Sequence, residues 1–176
     1  MITRRQIRIK VVQAFYAQIT GGNSAQDVFN QLLQPDYAAL KADKRNPTAA
    51  DEYTPAEDAQ FLSELFLGTI KYNDAYEKII AQNLQNWELS RVAVLDRIIL
   101  SLAIHEMITF EDIPVKVTIN EYLDIAKQYS TDKSSQFVNG VLDAVFQKLK
   151  QEGKIRKTGK GLLDPSPNDP LQALNP

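Results

Sequence analysis

Residues 61–107 read FLSELFLGTIKYNDAYEKIIAQNLQNWELSRVAVLDRIILSLAIHEM. Phe61, Leu62, Leu65, Phe66, Thr69 and Ile70 recur at offsets of three and four, which puts them on one side of a 3.6-residue helix. Tyr76, Ile79, Ile80, Asn83 and Leu84 continue the pattern after an expected break near Asn73. Val92, Leu95, Ile98, Ile99, Leu102 and Met107 form a third run, rich enough to be buried on most sides. No stretch of comparable length alternates with period two. The reading is all-α.

Working outward, Pro114 interrupts the pattern and opens a helix carrying Ile119, Tyr122, Leu123, Ile125 and Ala126, because proline suits a first helical turn and not an interior. STDKS (130–134) turns the chain, and Phe137, Val138, Val141, Leu142, Val145, Phe146 and Leu149 make a last amphipathic helix. In the other direction, residues 4–19 form a first helix, stopped at Gly21-Gly22. Asn23 or Ser24 caps a second one running to about Leu33. Residues 34–56 contain Pro35, Pro47 and Pro55 and read as a surface connection with a short helical turn near 36–42. Residues 151–176 hold three of the seven glycines and four of the eight prolines, so they read as a disordered, partly basic tail. The expected organisation is a helical domain over 1–150 followed by that tail.

Charge is unevenly placed. Arg4, Arg5, Arg8 and Lys10 precede the first acidic residue, Asp27, and after residue 10 the chain has 16 basic against 22 acidic residues. A local excess of this kind concerns partners and not fold. Arg4, Arg8, Val11 and Phe15 share one row of the first helix. Since a lone guanidinium is not buried with Val11 and Phe15, the first turns are expected to project beyond the core. On that reading, replacing Arg4, Arg5 and Arg8 together scarcely changes stability.

Chemistry for catalysis is missing from the pattern. There is no cysteine, one histidine, no glycine-rich phosphate loop and no nucleophile elbow. His105 and Glu106 point about 100° apart on a helix, and Glu121 with Asp124 reads as a solvated face. No enzyme, cofactor or metal is expected. No apolar run reaches the roughly 18–20 residues of a membrane span, and the absence of cysteine suits a cytoplasmic protein.

RNA is the partner class the basic end suggests, through phosphate contacts. Tyr16 lies about 16 Å beyond Arg5 on nearly the same side of the helix, where an aromatic ring either stacks an unpaired base or closes the edge of the core. Gly140, inside FVNGVLD (137–143), costs about 1 kcal/mol against alanine. It permits close approach by another helix, a partner or a ligand, and internal packing is the favoured expectation. Asn139, Tyr129, Lys133 and Phe137 surround it as a polar-aromatic surface, with Phe137 either core or contact.

RRQIRIKVVQAFY (4–16), residues 61–107, IPVKVTINEYLDIAKQY (113–129) and FVNGVLD, in that order and spacing, resemble the NusB family of bacterial transcription antitermination factors. The resemblance implies two packed three-helix halves and a non-enzymatic role. It also implies a heterodimer with NusE, a ribosomal protein, that binds boxA-type nascent RNA and helps the RNA polymerase antitermination complex read through terminators in ribosomal RNA operons. Carried over, the RNA-binding positions are Arg4, Arg5, Arg8, with Lys10 beside them, and Tyr16, Tyr129, Phe137 and Asn139. Lys133 stands where relatives can carry an acid. Asp96, Phe137 and Gly140 fall towards the partner. Two rivals are a helical module that homodimerises without RNA and a detached NusB-like domain of a ribosomal RNA methyltransferase.

Overall fold

The computed structural model describes residues 2–46, 48, 53–85 and 88–162, and every regular element within them is helical. Helix α1 (Arg4–Gly21) opens on a capping box: the Thr3 hydroxyl accepts from the Gln6 N–H while the Gln6 side chain accepts from the Thr3 N–H. It closes at Gly22, whose φ of 67° a side chain would strain. Ser24 caps α2 (Ala25–Val28), which passes through a wide turn at Phe29–Leu33 into α3 (Gln34–Ala42). The short helical turn expected near 36–42 is thus a full helix, and the connection expected from residue 34 starts only after Ala42. Pro35 sits in the first turn of α3, where its missing N–H is no loss, and Leu40 is buried while Tyr37 packs edge-on against Phe29.

A second capping box, Thr54 with Glu57, starts α4 (Pro55–Ser63), which runs through the wide turn Glu64–Gly68 into α5 (Thr69–Asn83). The break expected near Asn73 is absent. The irregularity lies at 64–68 instead, where Gly68 crosses α6 (Val94–Thr109) so closely that a Cβ would stand 2.7 Å from the His105 ring. Helices α7 (Val115–Tyr129) and α8 (Asp132–Gln151) follow, and α5 packs on α6 and α8. Helix α6 packs on α1, α5, α7 and α8, and every residue from Ile98 to Met107 is buried. That matches the continuous apolar run read from the sequence. No helix among the described residues is long and apolar enough to cross a membrane.

The tail departs from expectation up to Leu162. After the Gly153 turn, Lys157 Nζ donates to the Phe110 carbonyl at 2.8 Å and the Thr158 N–H to the Glu111 carbonyl at 3.0 Å. Ile155 packs against the core, and burial pulls the Lys157 ammonium down to about 8. A short turn at Gly159–Leu162 ends this strap. The rest of the expected tail, 163–176, and positions 47 and 49–52 of the connection lie outside the described residues.

Candidate nucleic-acid interface

The basic end of α1 does not project unneutralised. Each of its four cations meets a carboxylate from elsewhere in the chain. Arg4 Nε pairs with Asp58 of α4, and Lys10 with Asp36 of α3. Arg5 reaches Asp124 of α7 at 3.1 Å and Glu121 at 3.7 Å, so those two acids do not form a merely solvated face. Arg8 is the sharpest correction, being 4% exposed. Its Nε and Nη2 grip Glu106 of α6 at 2.9 and 2.8 Å. Thr118 Oγ1 and Tyr122 Oη donate to the same carboxylate at 2.8 and 3.3 Å. Burial alone would lower the Arg8 pKa, but the charge and hydrogen bonds of Glu106 outweigh it and hold the guanidinium ionised. A guanidinium so enclosed has no edge left for a phosphate.

What α1 does present is its adjacent row, Gln6, Ile9, Gln13 and Tyr16. Ile9, Gln13 and Tyr16 line one groove with Val94 and Leu95 of α6 and Tyr129 of α7. Gln6, Ile9, Lys10 and Gln13 line a second depression, and Tyr129 borders both. Tyr16 and Tyr129 are 46% and 42% exposed, too open for core residues and large enough to give two aromatic walls to one surface. Of the residues singled out from the sequence, Lys10, Tyr16 and Tyr129 thus come together, with Arg5 on the neighbouring side of α1. Ile9, Gln13 and Val94 were not singled out from the sequence, and Leu95 was read only as part of a buried apolar run. No periodicity along the chain marks them, because the groove forms only where α1, α6 and α7 meet.

The other positions lie apart from that groove. Lys133, Asn139 and Gly140 are exposed on α8, and Phe137 is half-buried against the core. Asp96, expected at the partner surface, is instead 5% exposed. Burial raises its pKa, opposed by the hydroxyls of Ser134 and Ser130. Its carboxylate therefore lies under the α7–α8 turn that follows Tyr129. A Cβ on Gly140 meets nothing within 4 Å, so the expected internal packing fails: the glycine faces open surface. Gly140→Leu should accordingly stabilise the protein slightly, by up to about 1 kcal/mol from helix propensity, in a urea titration. A loss of that size would reveal a packed neighbour.

Residues 5–147 match the model of the NusB family. The chain belongs to that family. It is 37% identical over 164 residues to the transcription antitermination protein NusB of Salinibacter ruber, covering 93% of this chain and 92% of that one. Among solved structures, NusB of T. maritima superposes with a TM-score of 0.66 at 29% identity, over 86% of this chain and 99% of the other. A chain from a structure of antitermination factors NusB and NusE in complex with dsRNA shares the NusB fold at a TM-score of 0.64. It is 19% identical, over 82% and 96% of the two chains.

Proposed function

We propose that this NusB-family protein is a non-enzymatic RNA-binding transcription antitermination factor. It pairs with NusE and holds boxA-type nascent RNA for the RNA polymerase antitermination complex, in the cytoplasm where that RNA is made. The observation that carries the reading is the meeting of Tyr16 and Tyr129 across one groove beside Lys10 and Gln13. Two half-exposed rings give stacking platforms for unpaired bases, and the neighbouring amide and ammonium give hydrogen bonds and a phosphate contact. The salt bridges of Arg5 and Lys10 are exposed and cheap to exchange for phosphate, whereas Arg8 supports the fold. Asp96 acts by positioning the turn after Tyr129. Lys133, Phe137, Asn139 and Gly140 belong to a second face on α8, open to NusE or to RNA leaving the groove.

Stacking contributes about 1–3 kcal/mol per base. Tyr16→Ala and Tyr129→Ala should therefore each weaken binding of a labelled boxA-type RNA by the NusE heterodimer about 5- to 150-fold, with little change in thermal midpoint. Fluorescence anisotropy at fixed salt measures it. A double variant that binds as the wild type does would remove the groove from the interface.

A further inference from the structure

The strap after Gly153 closes one side of a groove of about 690 Å³, whose other sides are the first turns of α7 and the last turns of α8. Its apolar lining includes Ile119, Phe146, Ile155 and Leu162. Ile119 belongs to the buried core, and Phe146 and Ile155 pack against it. Leu162, by contrast, is 68% exposed, the most open large apolar side chain among the described residues. Around this floor stand the cations Lys116, Lys150, Arg156 and Lys157, against one acid, Asp143, in a chain of formal charge −2 overall. Lys157 is held by its bond to the Phe110 carbonyl, and Lys150 Nζ stands 5.9 Å from the centre of the Phe146 ring. The strap wall is anchored at several points. The Thr158 N–H donates to the Glu111 carbonyl, and a Cβ on Gly161 would collide with that same carbonyl. The groove opens at the end of α7 opposite Tyr129, about 20 Å along the axis by the 1.5 Å rise. Its strap wall lies beyond the residues that the family model matches.

We propose that this groove docks an acidic, leucine-bearing peptide segment of a partner protein. Two features choose that chemistry. Leu162 and its aliphatic neighbours form a floor that takes leucine-type side chains out of water. The cationic rim meets carboxylates, which steers the encounter and fixes orientation more than it adds raw affinity. RNA is the poorer match, because unpaired bases are taken up on exposed rings. The one ring in this lining, Phe146, is half-buried against the core. A phosphate backbone would use the rim and leave Leu162 in water. The site is separate from the Tyr16–Tyr129 groove and does not depend on the RNA-binding reading of it.

The test titrates a fluorescein-labelled peptide of leucine, glutamate and serine with the full chain, beside a twin carrying lysine for every glutamate. The acidic peptide should bind saturably, at least about tenfold tighter than its twin, and more weakly as salt rises. Lys150→Glu with Arg156→Glu should weaken it about tenfold and remove the preference over the twin. Leu162→Ser should weaken it about three- to tenfold. All three side chains are exposed, so the thermal midpoint should hold. Gly161→Ala, which must push the strap's last turn off Glu111, should cause an independent loss with no charge changed. No saturation by about 1 mM peptide, equal binding of the twin, or full binding by the double variant overturns the docking. Displacement of the peptide by a boxA-type RNA or by a free peptide of residues 163–176 would assign the groove to that occupant and overturn it too. So would a dimer of the chain, seen in sedimentation, that the peptide dissociates.

Discussion

Arg8→Ala should destabilise the protein by about 3–5 kcal/mol, the cost of breaking a buried ion pair from one side. The carboxylate of Glu106 is fully buried, and the substitution leaves it without its bidentate cation. Thr118 and Tyr122 would still donate to it, but neither supplies charge. A denaturant titration measures the loss, and a value below about 1 kcal/mol would contradict a structural Arg8. Replacing both partners by apolar residues of similar size, Arg8→Met with Glu106→Leu, should recover much of the stability, because the desolvation cost goes with the pair. Arg5→Ala is the contrasting case. Its side chain is 43% exposed, so the exposed pairs it makes contribute at most about 1 kcal/mol. The triple replacement of Arg4, Arg5 and Arg8, expected from the sequence to spare stability, should instead unfold much of the population before RNA binding is measured.

His105 should make the protein acid-sensitive through a single proton. Its ring is 1% exposed, shares a 2.8 Å hydrogen bond at Nδ1 with the Tyr76 hydroxyl, and packs against Gly68 and Phe110. Burial lowers its pKa to about 4, outweighing the backbone of Glu64 and the charge of Glu106, which act the other way. The unfolded chain, with an ordinary histidine near 6.5, therefore binds the proton first as pH falls. Between about 6.5 and 4 the unfolded state holds more protons than the folded one, and stability drops with falling pH. The loss is on the order of 2–3 kcal/mol across that window, since each unit is worth about 1.4 kcal/mol. Carboxylates elsewhere also respond to acid, so the difference between wild type and His105→Gln isolates the effect. The stability gap between them should narrow by that amount from pH 7 to pH 4. A gap constant over that range would show His105 to titrate normally.

Most of the helices were legible because each depends on neighbours within four residues, α3 being the exception. The stripe beginning at Phe61, the near-total burial of the run ending at Met107, and the cap at Ser24 all follow from local spacing and local hydrogen bonds. Family membership was legible too, since it rests on the order of residues along the chain. The wide turn at Glu64–Gly68 was not, because its cause is the close crossing over His105, 37 positions after Gly68 in sequence. The same holds for Gly140. Its helical position was plain, but whether a side chain would find a neighbour there depended on which elements packed beside α8.

By itself the sequence determined an all-helical chain, a basic start to α1, and the residue types available for binding RNA. Only the tertiary structure decided which of those residues are free to do so. Arg4, Arg5, Arg8 and Lys10 find carboxylates 54, 119, 98 and 26 positions away, and no periodicity along the chain encodes such pairings. Exposure is a property of packing: Arg8 and Tyr16 both stand on α1 among apolar residues, yet one is closed over by Glu106 of α6 and the other opens on a groove shared with α7. Charge in a sequence is counted by residue, but it acts only where solvent and the facing elements leave it.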